Sequence, residues 1–404
     1  MAPELSNLQA FPLGLSDFNS IRADDLFFVD KTAKLGALVS NYRRVFFSRP
    51  RRMGKTTLCS TLEELFAHGD SDKFVGMKIH GNWPVKELFP VISLTFFDMD
   101  LVDVSTFEAD LCQRLIEAYC NAGFTAALQY AGITSFLDLT LKLKAIIAGQ
   151  RLVFLIDEWD NPLSSKLDDP ELFASFQLVL RKFYSWLRRQ SDARFVLITG
   201  IMRYRDTSLF TGSDIVDLSM EPAFADILGY TQEELENNYA HYIDLAAAKL
   251  GFTHDELLQQ LKLYYDGFCF DYLASVKLYS PWAINRFFDA LLKANLLQDD
   301  NIGREQIYFG SFWMNSAGAA PALRSYLNSY HGDVVKLADR YSQPVVLGYG
   351  NMTSPVKATD VTLDQIMVQS GMISIQAIIK GTKNAANVEA YKFECALTNY
   401  DVAS

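Results

Sequence analysis

VFFSRPRRMGKTTL, residues 45–58, decides the fold. Val45, Phe46 and Phe47 form a β-branched and aromatic run that breaks at Ser48-Arg49-Pro50, and an amphipathic segment from Leu58 to Phe66 follows the basic loop. This order predicts strand, loop and helix. A phosphate chain is held by inward backbone N–H groups, the positive end of a helix, a lysine reaching the β/γ oxygens and a hydroxyl for magnesium. Gly54, Lys55 and Thr56 have the spacing for these roles, Arg51, Arg52 and Met53 supply the loop before them, and Thr57 continues into the helix. Arg49 stands where the G-x-x-x-x-G-K-[ST] pattern begins with glycine. Taken alone, the loop also fits a basic turn.

The second decisive stretch is RLVFLIDEWDNP, residues 151–162. Leu152 to Ile156 is a continuous apolar run, as expected of a parallel strand covered on both faces. It ends in Asp157-Glu158. Beside a phosphate loop, Asp157 would order Mg²⁺ and Glu158 would orient or deprotonate water. Without that loop, the pair would read as solvated carboxylates.

Composition narrows the remaining classes. The chain has 404 residues, half of them hydrophobic, enough for large cores and two to four domains. A net charge of -11 argues against a generally basic, nucleic-acid-coating surface, while leaving room for a local basic groove. Five scattered cysteines without C-x-x-C spacing read as reduced residues of a cytoplasmic protein, and the five histidines form no metal-ligand pattern. No secretory leader or membrane-spanning apolar run is visible.

Taken in order, a turn-rich arm, FPLGLSDF, precedes FVDKT, where Thr32 is expected to cap a helix over 33–39. This segment could wall an adenine and ribose, with Asp30 as its polar residue, or simply pack. Val91 to Phe97 reads as a strand, 106–120 and 136–147 as helices, and 170–190 as a long helix with a Leu172, Phe176, Leu180, Phe183, Leu187 stripe. Arg194 to Ile198 is the next strand, ending at Thr199, a candidate for contacting the attacking water. Arg203 and Arg205 follow, either as cations for a γ-phosphate or as solvated loop residues. Residues 215–218 complete the sheet. An extra strand between the loop strand and the Asp-Glu strand in sequence favours the additional-strand-catalytic-Glu division over kinases and GTPases.

FPLGLSDF, FVDKT, FFSRPRRMGKTTL, LIDEWDNP, ITGIMRY, SLFTGSDIVDLS, LGYTQEEL, YYDGFCF, SPWAI and FWMNSAG, in this order, resemble the bacterial AAA-ATPase-like family over roughly residues 11–402. That family also carries Arg-Pro-Arg-Arg in its phosphate loop. Trp159 replaces its usual tyrosine, and Ser280 a common asparagine. The resemblance implies an ATP- and Mg²⁺-dependent, AAA-related or STAND-like protein, often joined to a C-terminal PD-(D/E)xK nuclease. The expected organisation is an arm (1–35), an α/β P-loop NTPase core with a parallel sheet flanked by helices (36–222), an α-helical lid (223–335) and a winged-helix-like module (336–404). Capping boxes at Thr231/Glu234 and Thr253/Glu256 begin two lid helices. Pro281 is expected either to touch the base, by its similarity to STAND-type lids, or merely to open a helix. The C-terminal module, with Lys380 and Lys383 at the tip of its wing, is read as contacting protein rather than DNA. Oligomerisation stays open, and no membrane contact is expected. No acid-x-Lys pair follows Glu389, and Leu397 to Val402 resembles the segment after which the family nuclease begins. The expectation is therefore an ATPase without intrinsic nuclease activity in these residues, or alternatively a nucleotide switch that recruits a partner.

Overall fold

The computed structural model describes residues 8–210, 212, 214–297, 309–317, 320–332, 336, 339–354, 356–383 and 389–403. Its chain order is α1 (Phe18–Ala23), α2 (Thr32–Asn41), β1 (Arg44–Ser48), α3 (Lys55–His68), β2 (Val91–Thr95), α4 (Val104–Asn121), α5 (Phe136–Ile146), β3 (Val153–Asp157), α6 (Asn161–Ser164), α7 (Pro170–Arg188), β4 (Phe195–Gly200) and β5 (Val216–Asp217). The second half comprises α8 (Gln232–Leu250), α9 (His254–Tyr265), α10 (Pro281–Leu297), α11 (Phe312–Ala317), α12 (Pro321–Asn328), β6 (Val345–Gly348), α13 (Tyr349–Thr353), α14 (Leu363–Gln369), β7 (Ile373–Lys383), β8 (Glu389–Leu397) and α15 (Tyr400–Ala403).

Strands β1 to β5 form one parallel sheet in the order β2-β3-β4-β1-β5. The loop-bearing β1 is separated from the Asp-Glu strand β3 by β4, while β2, which comes between those two in sequence, lies at the edge of the sheet. Strand alternation divides the residues of β1, β3 and β4 between two cores. Val45, Phe47, Val153, Leu155, Phe195 and Leu197 share one buried cluster with α3, the arm residues Phe11 and Phe18, and Leu235 and Phe287 of the second half. Phe46, Phe154, Ile156, Val196 and Ile198 enter the other, with Phe107 and Leu111 of α4, Phe176 and Phe183 of α7, and Ile366 and Phe393 near the C-terminus. Both faces are covered, which is why these strands read as unbroken apolar runs.

Both expected capping boxes form: Thr231 caps α8 with Glu234, and Thr253 caps α9 with Glu256. The cap of α2 differs from expectation. Asp30, not Thr32, is the acceptor, taking the Thr32 N–H at 2.8 Å and its hydroxyl at 2.6 Å, because the helix starts a residue earlier than its apolar periodicity suggests.

At the C-terminus, β7 and β8 are antiparallel after α14, and β6 adds a third strand in the order β6-β8-β7. The sequence reading missed β6, a four-residue strand too short to carry a pattern of its own. The centre of the 381–387 turn, and the side chains of Lys380 and Lys383, lie outside the described residues. Among the described residues, no helix is long and apolar enough to cross a membrane, and no disulfide forms.

Candidate nucleotide site

The loop folds as the residues require. Arg52 and Gly54 both take left-handed backbone conformations (φ 66° and 100°), turning the chain so that α3 begins at Lys55. The loop carbonyls are then held from two sides. Lys55 Nζ donates to Arg49 O (3.1 Å) and Pro50 O (3.0 Å) from within. From outside, the Trp313 indole donates to Arg51 O (3.1 Å), the Ser280 hydroxyl to Arg52 O (3.2 Å) and the Gly229 N–H to Met53 O (3.2 Å). Three separate segments of the second half thus grip three successive peptide units.

The acidic strand meets the loop at the mouth of α3. Asp157 accepts Thr56 Oγ1 on one carboxylate oxygen at 2.6 Å and the Thr199 hydroxyl on the other. Glu158 takes a left-handed conformation (φ 53°), and its carboxylate lies 3.6 Å from Lys55 Nζ. Burial raises the Glu158 carboxyl above its ordinary range, against the opposing pull of Lys55. The turn behind them is locked by Asp160, whose carboxylate accepts the N–H groups of Ile201 and Met202, both at 2.9 Å. Gly200 lets Trp159 lie against the end of β4, since a Cβ there would fall 2.2 Å from the indole. Sequence reading gave Asp160 no role, because its partners are about forty residues away, just past the end of β4.

These groups open into a cleft of about 680 Å³. Arg51, Arg52, Met53, Gly54, Lys55, Thr56 and Thr57 line one end, with Asp157 and Glu158 beside them. Phe27 to Val29 and Ile227 to Tyr230 make an apolar wall, and Pro281 and Trp282 close it from α10. Residues of the arm thus line the cleft, and so does Pro281. Three lining residues carried no signal in the sequence reading. Lys31 pairs with Glu234 of α8 and donates to Asp226 O at 2.9 Å; Trp282 stacks under Arg52, whose guanidinium carbon is 4.2 Å from the ring; Asn285 accepts the Tyr239 hydroxyl.

Other sequence-selected residues lie away from the cleft. Asp30, besides capping α2, accepts the Lys78 N–H at 2.7 Å. Arg49 is buried behind the loop, donating to Ser48 O (2.9 Å), Ser219 O (2.6 Å) and Phe224 O (3.2 Å) with its guanidinium carbon 4.4 Å from the Phe270 ring centre. Burial, reinforced by neighbouring Arg203, lowers it to about 9. Arg203 is buried as well, pairing with Asp217 at 2.9 Å and donating to Ser48 Oγ at 3.2 Å. Arg205 is tied through its backbone to Val356 O at 2.8 Å. Thr199 reaches the site only through Asp157.

A parallel sheet flanked by helices, with Gly-Lys-Thr where a loop enters a helix, defines a P-loop-like protein. Residues 12–210 match the model of the AAA-ATPase-like family, described as predicted AAA-ATPase. The chain is also 30% identical over 261 residues to the uncharacterized protein in the vnfD 5' region of Azotobacter chroococcum mcd 1. That match covers 64% of this chain and 48% of the relative, so the chain spans about half the length of the curated relative it matches.

Proposed function

We propose that the chain binds Mg²⁺-ATP in this cleft and hydrolyses it. The observation that carries the reading is the meeting of Lys55, Thr56, Asp157 and Glu158 at one end of a cleft whose other end is apolar. Lys55 holds the phosphate oxygens while the loop N–H groups and the start of α3 face them. The Thr56 hydroxyl and the Asp157 carboxylate, already converged at 2.6 Å, fit a magnesium ion held partly through water. Such an ion takes few protein ligands, so the absence of three clustered acidic, histidine or cysteine groups among the described residues is compatible with it. When bound, it would neutralise charge on the phosphates. Glu158 accepts the proton of the attacking water, and Thr199 fixes Asp157. Arg51 and Arg52 face the phosphates, and Phe27 to Val29 and Pro281 cover the base. Arg203 and Arg205 act by holding the exit of β4.

A second reading, a nucleotide-dependent switch with negligible turnover, is favoured by the grip of Trp313, Ser280 and Gly229 on the loop. In it, the three-stranded C-terminal module recruits a protein partner. Steady-state phosphate release with Mg²⁺-ATP separates the two. Turnover that disappears on chelating Mg²⁺ supports hydrolysis; tight ATP binding with no release above background supports the switch.

A further inference from the structure

The carboxyl ends of the strands carry the phosphate loop, and the amino ends form the opposite edge of the sheet. There, three neighbouring strands are each entered through an arginine: Arg151 leads into β3, Arg194 into β4 and Arg43 into β1. Backbone pairing aligns these entries, with the Arg194 N–H donating to Leu152 O and the Val196 N–H to Arg43 O, both at 2.8 Å. Adjacent strands lie about 4.8 Å apart, so the three positions make a row about 10 Å long. Arg151 and Arg194 rest on aromatic rings, their guanidinium carbons 5.7 Å from the Phe89 centre and 5.9 Å from that of Phe66.

The ion pairs near this edge belong to other residues. Arg44 and Arg188 both meet Asp214, at 4.0 and 2.8 Å. Arg43, Arg151 and Arg194 form no ion pair among the described residues, although Arg151 donates to Asp192 O at 3.2 Å. Burial and then the charges of Arg151 and Arg43 lower the basicity of Arg194, with Glu87 opposing. Three like charges at strand spacing, in a chain of net charge -11, are therefore available to an anion from outside. Guanidinium forks suit phosphate oxygens. The apolar residues between them, Leu152 and Ala193, are covered (3% and 7% exposed), so the row lacks the apolar centre of a protein interface.

We propose that Arg43, Arg151 and Arg194 form a binding surface for the phosphate backbone of a nucleic acid. Binding is independent of sequence, because Phe66 and Phe89 are buried and offer no ring for base stacking. This inference stands apart from the reading of the cleft.

Fluorescence anisotropy of a labelled oligothymidylate, titrated with the full chain at increasing NaCl, tests it. Single strands give a slope of log K against log salt of about -0.7 per phosphate contact, so three contacts give roughly -2, or about a 20-fold loss of affinity from about 50 to 200 mM salt. The Arg43→Ala, Arg151→Ala, Arg194→Ala triple variant is expected to abolish binding, and the corresponding triple lysine variant to keep the slope. If the alanine triple does not fold, each single alanine substitution decides instead, by reducing the slope by about 0.7. The proposal is overturned by absence of binding at the lowest salt, by an unchanged slope in folded alanine variants, or by polyglutamate binding more tightly than the oligonucleotide, which would assign the row to an acidic protein.

Discussion

Lys55 is buried, and its ammonium satisfies two loop carbonyls and faces Glu158. Lys55→Ala should therefore remove most nucleotide affinity, because Arg51 and Arg52, which line the cleft ahead of Gly54, do not replace an ammonium beside Glu158 at the start of α3; isothermal calorimetry on the folded variant checks this, and unchanged affinity refutes the phosphate-loop assignment. Glu158→Gln should keep Mg²⁺-ATP while losing about 100-fold or more in turnover, since an amide cannot take the proton. The pH dependence has a definite sign. A base works ionised, and burial raises the Glu158 carboxyl above its reference of 4.5, so kcat/KM should fall on acidification through that raised pKa, at a higher pH than an ordinary glutamate would give. A pH–rate profile shows the limb, and its survival in Glu158→Gln would assign it elsewhere. Gly54, Lys55, Thr56, Asp157 and Glu158 were legible in sequence because each chemistry is written within a few consecutive residues. The placement of Arg49 was not. Its acceptors at 219, 224 and 225 and the ring at 270 are remote in sequence, and nothing local distinguishes an arginine bracing the loop from one facing a phosphate.

At the scale of elements, the strands were readable from their apolar runs, and α8 and α9 from their capping boxes. The third C-terminal strand, β6, was not, because four residues pairing with β8 carry little pattern of their own. Contacts between elements were equally hidden. Gly371 follows α14 at φ 82°, and a Cβ there would fall 2.4 Å from Pro50 Cγ, on the phosphate loop itself. Gly371→Ala combines left-handed strain with overpacking and should cost roughly 2 kcal/mol. It should also weaken ATP binding by displacing Pro50. Gly251→Ala is the matched control, since its φ is 75° but no atom lies within 4 Å of the added Cβ. Urea midpoints and calorimetric affinities of the two variants test the distinction: both should lose stability, and only Gly371→Ala should lose affinity as well. Equal affinities would mean that the C-terminal module does not bear on the loop.

Across the whole molecule, one buried cluster runs from Phe11 of the arm through Phe47 and Phe287 to Val402. The family match over residues 12–210 includes every candidate catalytic group, while Gly229, Ser280 and Trp313, which hold the loop, lie beyond it. The grip on the loop also governs which mutations the protein can absorb. A carbonyl is the same whatever side chain its residue carries, and the Gly229 donor is backbone too. The grip itself therefore does not depend on the side chains of Arg51 and Arg52, whereas Ser280 and Trp313 donate through theirs. A saturation mutagenesis screen scored for folding alone, apart from nucleotide binding, should find the loop arginines more permissive than a serine and a tryptophan more than two hundred residues downstream.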